Sequence, residues 1–363
     1  MTAGTEAGFA ARSYLPCRAM WSVSTGGWRR KPGAMLAWLA VAGLASACVT
    51  TPDLGGPLPV RNQHPAQLTV LHMNPASADV LAPGAASTRA DFAYTSLFLI
   101  GDGANNSRWV MDGETLRSAA TLRLGLGKGL EFGTQVAAIH TTGGFLDSFV
   151  IGYHDLFGLP DQNRDVNPRD AFTVDASRNG QTVWSLDRAG IAFADLPLQL
   201  TYQLREPGRE RLGVAVRGGV ELPTGDASRG FGNGQLDASL GVLFDYRALG
   251  MGFYGHASHT FAGTPSQARA AGLDFAGVTS AGLAIELPLQ PDLHAFTQIE
   301  WETSTLRHLG PKVTERQQVL LWVGGRYAVT PAFGVELGFA EDLVALASPD
   351  FTAWLGFELR PGR

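Results

Sequence analysis

Residues 235–246 read QLDASLGVLFDY, and their side chains alternate between polar and apolar. Leu240 and Phe244 share one face of this segment, whereas Asp237 and Asp245 share the other. Alternation with a period of two predicts a β-strand that is apolar on one side only. Strands of soluble sheets usually have about 5–6 residues, whereas a tilted strand needs roughly 9–11 to cross an outer membrane. The length of this segment favours the membrane.

The same pattern recurs along the chain. Nine strands are indicated from residue 196 onward, and less regular alternation is found upstream at 88–100, 114–126, 130–140 and 182–188. Short connections alternate with long ones, which is typical of a barrel with tight periplasmic turns and longer outer loops. Because every backbone polar group must be paired in lipid, the sheet must close. We therefore predict an all-β, antiparallel transmembrane β-barrel of about 12 strands, within a range of about 10–16.

The composition of the chain excludes several classes of protein. The 363 residues carry a net charge of −5, which argues against a nucleic-acid partner. Apolar runs are too short for a helical membrane protein. The two cysteines, Cys17 and Cys48, both lie near the N-terminus, so the body has no disulfide framework and no thiolate metal site.

The N-terminal region resembles an export signal. Basic residues at 29–31 precede an apolar run at 34–44 and small residues before Cys48, so residues 1–47 are predicted to be a secretory signal. Cleavage by ordinary signal peptidase and lipidation of Cys48 are the two alternatives. Residues 48–66 are Pro- and Gly-rich and are predicted to be a linker, followed by the barrel over 67–360.

One segment, 141–181, breaks the alternation. Phe145, Phe149 and Tyr153 recur at helical spacing, which predicts a helix within a long loop. This helix either narrows the lumen and touches a solute or packs its aromatic stripe on the barrel rim. The candidate binding residues of the helix and the loop after it are Asp147, His154, Asp155, Arg164 and Arg169.

The segment from Gly143 to Arg164 reads GGFLD, then HDLFGLP, then Arg. This motif resembles the signature of an uncharacterised proteobacterial family, domain-of-unknown-function family 3187, and the resemblance extends over about residues 65–360. It implies an outer-membrane protein and supplies neither a catalytic residue nor a cofactor.

The polar faces of the predicted strands would line the barrel interior. They form either a selectivity lining or a salt-bridge network that fills a closed barrel. The candidate lining residues are Arg217, Glu221, Asp237, Asp245, Glu286, Glu300, Arg326 and Glu336.

An enzyme-like pair occurs at His256 and Ser258, which share a strand face and resemble the pair of outer-membrane lipid hydrolases. Their strand face is the polar one, directed away from lipid, so the pair also fits ordinary lumen polarity. No histidine pair has the spacing of metal ligands, and no cofactor is expected.

These observations favour a passive pore or substrate-selective channel for small solutes in the bacterial outer membrane. The alternatives are a plugged structural or interaction barrel without transport and a rim-sited lipid hydrolase using His256 and Ser258. The expected partners are outer-membrane lipid, the outer-membrane insertion machinery and a small solute. Oligomeric state does not follow from the sequence.

Overall fold

A computed structural model describes residues 54–158, 164, 167–187, 190–344 and 347–360. The predicted signal and the lipidation candidate Cys48 lie outside these residues. The strands are β1 (Ala86–Gly103), β2 (Ser107–Gly127), β3 (Leu130–Thr142), β4 (Thr173–Arg178), β5 (Gln181–Leu186), β6 (Gly190–Phe193), β7 (Leu196–Arg205), β8 (Gly213–Leu222), β9 (Asp237–Ala248), β10 (Met251–Phe261), β11 (Val278–Pro288), β12 (Leu293–Glu302), β13 (Gln318–Thr330), β14 (Phe333–Asp342) and β15 (Phe351–Leu359). The helices are α1 (Asp147–Phe157), α2 (Ser266–Ala270) and α3 (Lys312–Glu315), with 3₁₀ turns at Gln67–Thr69 and Ala227–Arg229.

Twelve of these strands, β1 to β3 and β7 to β15, form one closed antiparallel barrel. Closure is made by β1 and β15, which pair from Thr88 with Leu359 to Ser96 with Phe351. Closure satisfies the backbone of both edge strands, as lipid requires. The predicted architecture is confirmed, and the nine strands predicted from residue 196 onward are β7 to β15.

The two faces of each strand differ as the alternation predicts. In β9, Asp237 and Asp245 are fully buried inside the barrel, whereas Leu240 on the outer face is 67% exposed. Aromatic side chains near the short turns, among them Tyr202 and Tyr327, also face outward. The outer surface therefore has the apolar belt of a membrane barrel.

The barrel has two unlike ends. At the short-turn end, β9 joins β10 through Leu249–Gly250 and β13 joins β14 through 331–332. At the long-loop end, β1 and β2 continue beyond the barrel as a hairpin, and β4 and β5 add to its edge. The predicted strand 182–188 is thus a member of this outer sheet rather than of the barrel, because its partner is β4 and not β7.

Residues 54–85 run inside the barrel and are called the plug below. The plug begins at the short-turn end, where Gly56 N donates to Glu286 (3.3 Å), and rises to the long-loop end, where Asn62 Nδ2 donates to Glu302 (2.8 Å). After the turn Gln67–Thr69 it descends again to the start of β1.

This placement differs from the predicted boundaries. The described part of the predicted linker, 54–66, is the rising half of the plug. Residues 67–85, predicted as barrel, form its turn and its descending half, and the first barrel strand begins only at Ala86. The proline and glycine content removes strand periodicity, but a coil can still be buried where side chains accept its backbone N–H groups.

Helix α1 lies on the outer face of the barrel wall. The Phe149 ring packs 5.8 Å from that of Phe351 on β15, and the Phe145 ring packs 5.7 Å from that of Tyr94 on β1. Both strand residues point away from the lumen, so α1 does not narrow it. Of the two interpretations of this helix, the structure shows the packing one.

Among the described residues, no helix combines the length and apolarity needed to cross a bilayer.

Candidate functional site: the barrel lumen

Carboxylates of the inner wall bind the plug. Glu286 on β11 is fully buried and accepts the backbone N–H groups of Gly55 (3.2 Å) and Gly56 (3.3 Å). The same carboxylate is bound by the Tyr254 hydroxyl (2.6 Å) and lies 2.6 Å from His294 Nδ1. One buried acid thus joins the rising half of the plug to two neighbouring strands.

Two carboxylates of β9 bind the descending half in the same way. Asp237 accepts from Leu71 N (3.0 Å), and Asp245 accepts from Ala78 N (2.9 Å) and from the Ser77 hydroxyl. The charge-assisted bonds replace the backbone partners that a strand would have supplied.

Apolar contacts complete the packing of the plug. Leu58 and Val60 join a buried cluster with Phe296, Trp322 and Trp354 on the inner face of β12, β13 and β15. At the long-loop end the plug's Ala66, Leu68 and Val70 enter a larger apolar core with side chains of β1, β2, β4 and β5. This core covers the outer mouth of the barrel.

His64 lies at that mouth, beside the turn of the plug. Its ring stacks on Trp109 of the outer β1–β2 hairpin with the centroids 5.2 Å apart. Burial lowers the pKa of His64 to about 4, against an opposing effect of the Glu302 charge. The ring is therefore neutral at pH 7.

A cavity of about 110 Å³ remains between the plug and the wall formed by β1, β2, β3, β7 and β8. It extends from Ser87 and Arg360 at the short-turn end to Arg61 and Glu221 deeper in the barrel. Six arginines line it against three acids: Arg61, Arg89, Arg123, Arg217, Arg326 and Arg360 against Glu131, Glu221 and Glu358. Arg61 belongs to the plug, and Arg326, Glu358 and Arg360 come from β13, from β15 and from just after β15, at the edge of the cavity. The lining as a whole is basic, whereas the groups that bind the plug on β9 and β11 are mostly acids.

Several of the cavity arginines are neutralised by neighbouring acids. Arg123 binds Glu131 through two bonds of 2.7 and 2.8 Å, and Arg360 binds Glu358 at 2.7 Å. Arg326 lies 3.1 Å from Glu286. At these positions the inward charges form salt bridges with one another, which is one of the two arrangements expected for the polar strand faces.

All eight predicted lining residues face the barrel interior, but they belong to different parts of it. Asp237, Asp245 and Glu286 bind the plug, whereas Arg217 and Glu221 line the cavity. Three more take part in ionic contacts within the wall: Glu300 lies 3.1 Å from His256, and Glu336 binds both Arg326 and Arg89.

The predicted binding residues around α1 lie at the long-loop rim, outside the lumen. Arg164 is almost fully buried, binds Asp147 and Asp350 (2.8 Å to the latter) and covers the ring of Phe98. Asp155 and Arg169 are exposed. Asp147 and Arg164 thus hold the helix against β1 and β15.

The local structure explains why position 144 of the GGFLD motif is a glycine. Gly144 has φ +80° and approaches the buried Glu114 so closely that a Cβ atom would lie 1.8 Å from its carboxyl carbon. Glu114 accepts the N–H of Phe145 (2.9 Å) and that of Leu146 at the start of α1. His154 is also buried, and neither of its ring nitrogens has a hydrogen-bond partner among the described residues.

His256 and Ser258 face the lumen and are not aligned on each other. His256 Nε2 lies 3.1 Å from Glu300, and the Ser258 hydroxyl shares a 2.8 Å hydrogen bond with Ser280. The arrangement gives no support to a lipid hydrolase, since lipid lies on the other side of the wall. In the described ranges, no group of three or more His, Cys, Asp or Glu side chains is placed to hold a metal ion.

Sequence reasoning did not single out the cavity residues of β1 to β3, such as Arg123 and Glu131. Their strands alternate less regularly than the C-terminal ones. A usable signal was present, because these two residues flank the tight turn at 127–129 and have opposite charge. Arg61 and the other plug residues had no such signal.

Comparison with protein families identifies the chain. A family model described as a protein of unknown function, DUF3187, matches residues 36–360, so the chain belongs to this family. The resemblance seen in the Gly143–Arg164 motif is thereby confirmed. A comparison with curated proteins finds no match.

Solved structures with a similar fold are outer-membrane barrels. The COG4313 outer membrane channel from Pseudomonas putida F1 matches with a TM-score of 0.50 and 12% identity, covering 80% of this chain and 100% of that one. The P. putida toluene transporter TodX matches at a TM-score of 0.36 and 11% identity, covering 82% and 93%. The translocator domain of the autotransporter NalP from Neisseria meningitidis matches at 0.40 and 9%, covering 78% and 90%. The chain therefore has the fold of bacterial outer-membrane β-barrels.

Proposed function

We propose that this barrel is a channel for small polar solutes and that its own plug, residues 54–85, opens and closes the lumen. The manner in which the plug is held supports this proposal most directly. Before Gly84 the plug is not paired as a strand with the barrel and is held by side-chain carboxylates and apolar contacts. Because no backbone ladder joins the two, the plug can move without opening the sheet.

The polar cavity also supports transport. It follows the inner wall from the short-turn end past the middle of the barrel, and charged and amide side chains line it. In outer-membrane barrels the short turns face the periplasm, so the cavity is the inner part of the proposed path. The apolar core at the outer mouth is the part that must rearrange.

The test is conductance in planar bilayers for two proteins, the full chain and a variant that lacks residues 54–80. The proposal expects brief openings of the full chain and a large steady current from the deletion variant, because removal of the plug leaves an open polar lumen. Heat-modifiable gel migration must first show that both barrels have folded. A folded deletion variant that carries no current would contradict the proposal.

A second function, a permanently plugged structural or interaction barrel, is favoured by one observation. The outer mouth is covered by an apolar core in which Leu97, Trp109 and Phe231 are almost fully buried. In that case the deletion variant conducts, but the full chain does not conduct under any voltage. In both cases outer-membrane lipid contacts the outward apolar belt and the insertion machinery assembles the barrel.

A further inference from the structure

We propose that Arg217, with Thr201 and Gln199, forms a binding site for the oxyanionic group of a small solute, a carboxylate or a phosphate, inside the lumen cavity. This inference deepens the proposed channel function and rests on it. It identifies the class of solute for which the cavity is suited.

Arg217 is the main observation behind this site. Its side chain lines the cavity and is 6% exposed, and Nη2 donates to Asn74 O at 2.7 Å. Nε has no hydrogen-bond partner among the described residues, and no described carboxylate lies within 4.0 Å of the guanidinium. A buried guanidinium in this state costs free energy unless an anion accompanies it.

Neutral donors are placed beside this guanidinium. Thr201 on β7 is the direct cross-strand partner of Arg217, and Gln199 is the next inward residue on the same strand. Both side chains line the cavity, and none of the described residues accepts a hydrogen bond from either of them. A planar guanidinium with an adjacent hydroxyl and amide matches the bidentate geometry of carboxylate and phosphate oxygens.

The other charges around the cavity leave this position basic. Glu131 and Glu358 are paired with Arg123 and Arg360, and the Glu131 charge also attracts Arg217 without forming an ion pair with it. Glu221 is the remaining lining acid, and it interacts electrostatically with Arg61 and Arg117 rather than with Arg217. Arg61, which also lines the cavity, likewise has no described carboxylate within 4.0 Å, so the lining groups without an ion pair comprise two cations and one anion.

The test is calorimetric titration of the folded full chain in detergent with inorganic phosphate and, separately, with acetate. We expect saturable binding of at least one of these anions to the wild type. Arg217→Gln should weaken it roughly tenfold or more, since a charged hydrogen-bonding partner is lost. Thr201→Val, which keeps the side-chain shape, should weaken it by a smaller factor. The acetate and phosphate arms distinguish carboxylate from phosphate solutes.

Arg211→Gln is the matched control, because it removes the same charge from an exposed side chain in the short-turn connection just before β8, the strand that carries Arg217. It should bind as the wild type does. No binding by the wild type, or equal binding by wild type and Arg217→Gln, would overturn the site. Binding without any conductance would instead contradict the channel function, while conductance without binding would contradict only the site.

Discussion

The two sides of the lumen differ in the charges they present and in how closely they contact the plug. On β9, β11 and β12, buried carboxylates such as Asp237 and Glu286 accept the backbone N–H groups of the plug or its side-chain amides. On the wall of β1 to β3, β7 and β8, arginines border a cavity instead. The polar lining that the alternation suggests therefore has two parts. Carboxylates of one side bind the plug closely, whereas the other side makes fewer bonds to it, such as Arg217 to Asn74 O and Leu81 N to Glu131, and borders the cavity.

Removal of a carboxylate from the acidic side should have the largest effect. Glu286→Ala leaves two backbone N–H groups of the plug, the Tyr254 hydroxyl and Arg326 without their shared acceptor. We expect a loss of about 3–5 kcal/mol in the free energy of unfolding, as for other broken buried ion pairs. Urea titration in detergent micelles measures it.

Glu315→Ala, at an exposed position in α3, is the control and should change the free energy by less than about 0.5 kcal/mol. Equal losses for the two variants would show that the acidic wall does not hold the plug.

Substitution of Arg164, which forms buried ion pairs outside the lumen, tests whether the docking of α1 affects gating. Arg164→Ala removes the cation shared by Asp147 and Asp350, and we expect about 3 kcal/mol less stability for the docked α1. Protease should then cut within the loop that contains α1, while the barrel still migrates as a folded species and its conductance is unchanged. Arg169→Ala, at an exposed position, is the control; altered conductance in Arg164→Ala would place α1 in the gate after all.

A fall in pH should destabilise the folded protein through His64, beside the turn of the plug. The folded pKa, about 4, lies below the ordinary value of 6.5, so the unfolded chain binds the proton first as the pH falls. The stabilisation is complete above pH 6.5 and is lost toward pH 4, by up to about 3 kcal/mol. Unfolding free energies measured across this range should fall less steeply for His64→Leu than for the wild type. An equally steep fall in the unfolding free energy of both proteins would contradict a lowered pKa of His64.

The smallest effect is expected on the cavity side. Gln199 lines the cavity, and its side chain makes no hydrogen bond with the described residues. Gln199→Ala should therefore change the free energy of unfolding by less than about 0.5 kcal/mol. A loss several times larger would mean that this wall is packed rather than open, and the contrast between the two sides would disappear.

The barrel itself could be predicted from the sequence because its signal is local. In β9 the inward polar residues, among them Asp237 and Asp245, alternate with outward apolar residues such as Leu240. The aromatic stripe of α1 is also a local signal, because the helix spans only 11 residues. Its docking site on the outer wall was not predictable, since Phe351 lies some two hundred positions away.

The plug could not be predicted for the same physical reason. Many of its contacts join residues more than 150 positions apart, as between Leu71 and Asp237, and its proline-rich stretch has no period. One indirect signal exists: β11 presents the inward carboxylate of Glu286 and contains no arginine. Such groups need donors from elsewhere, and backbone N–H groups of an irregular segment supply them.

The central claim is that residues 54–85 occupy the lumen, and a disulfide tests it most directly. Ser77 and Asp245 are in hydrogen-bond contact, so cysteines at these two positions lie within reach of each other in a chain whose Cys17 and Cys48 are replaced by serine. Oxidation in isolated outer membranes should link Ser77→Cys to Asp245→Cys and not to Phe244→Cys, which is the adjacent residue on the lipid side. Failure of the first pair to link, or equal linking of both pairs, would contradict a plug inside the barrel.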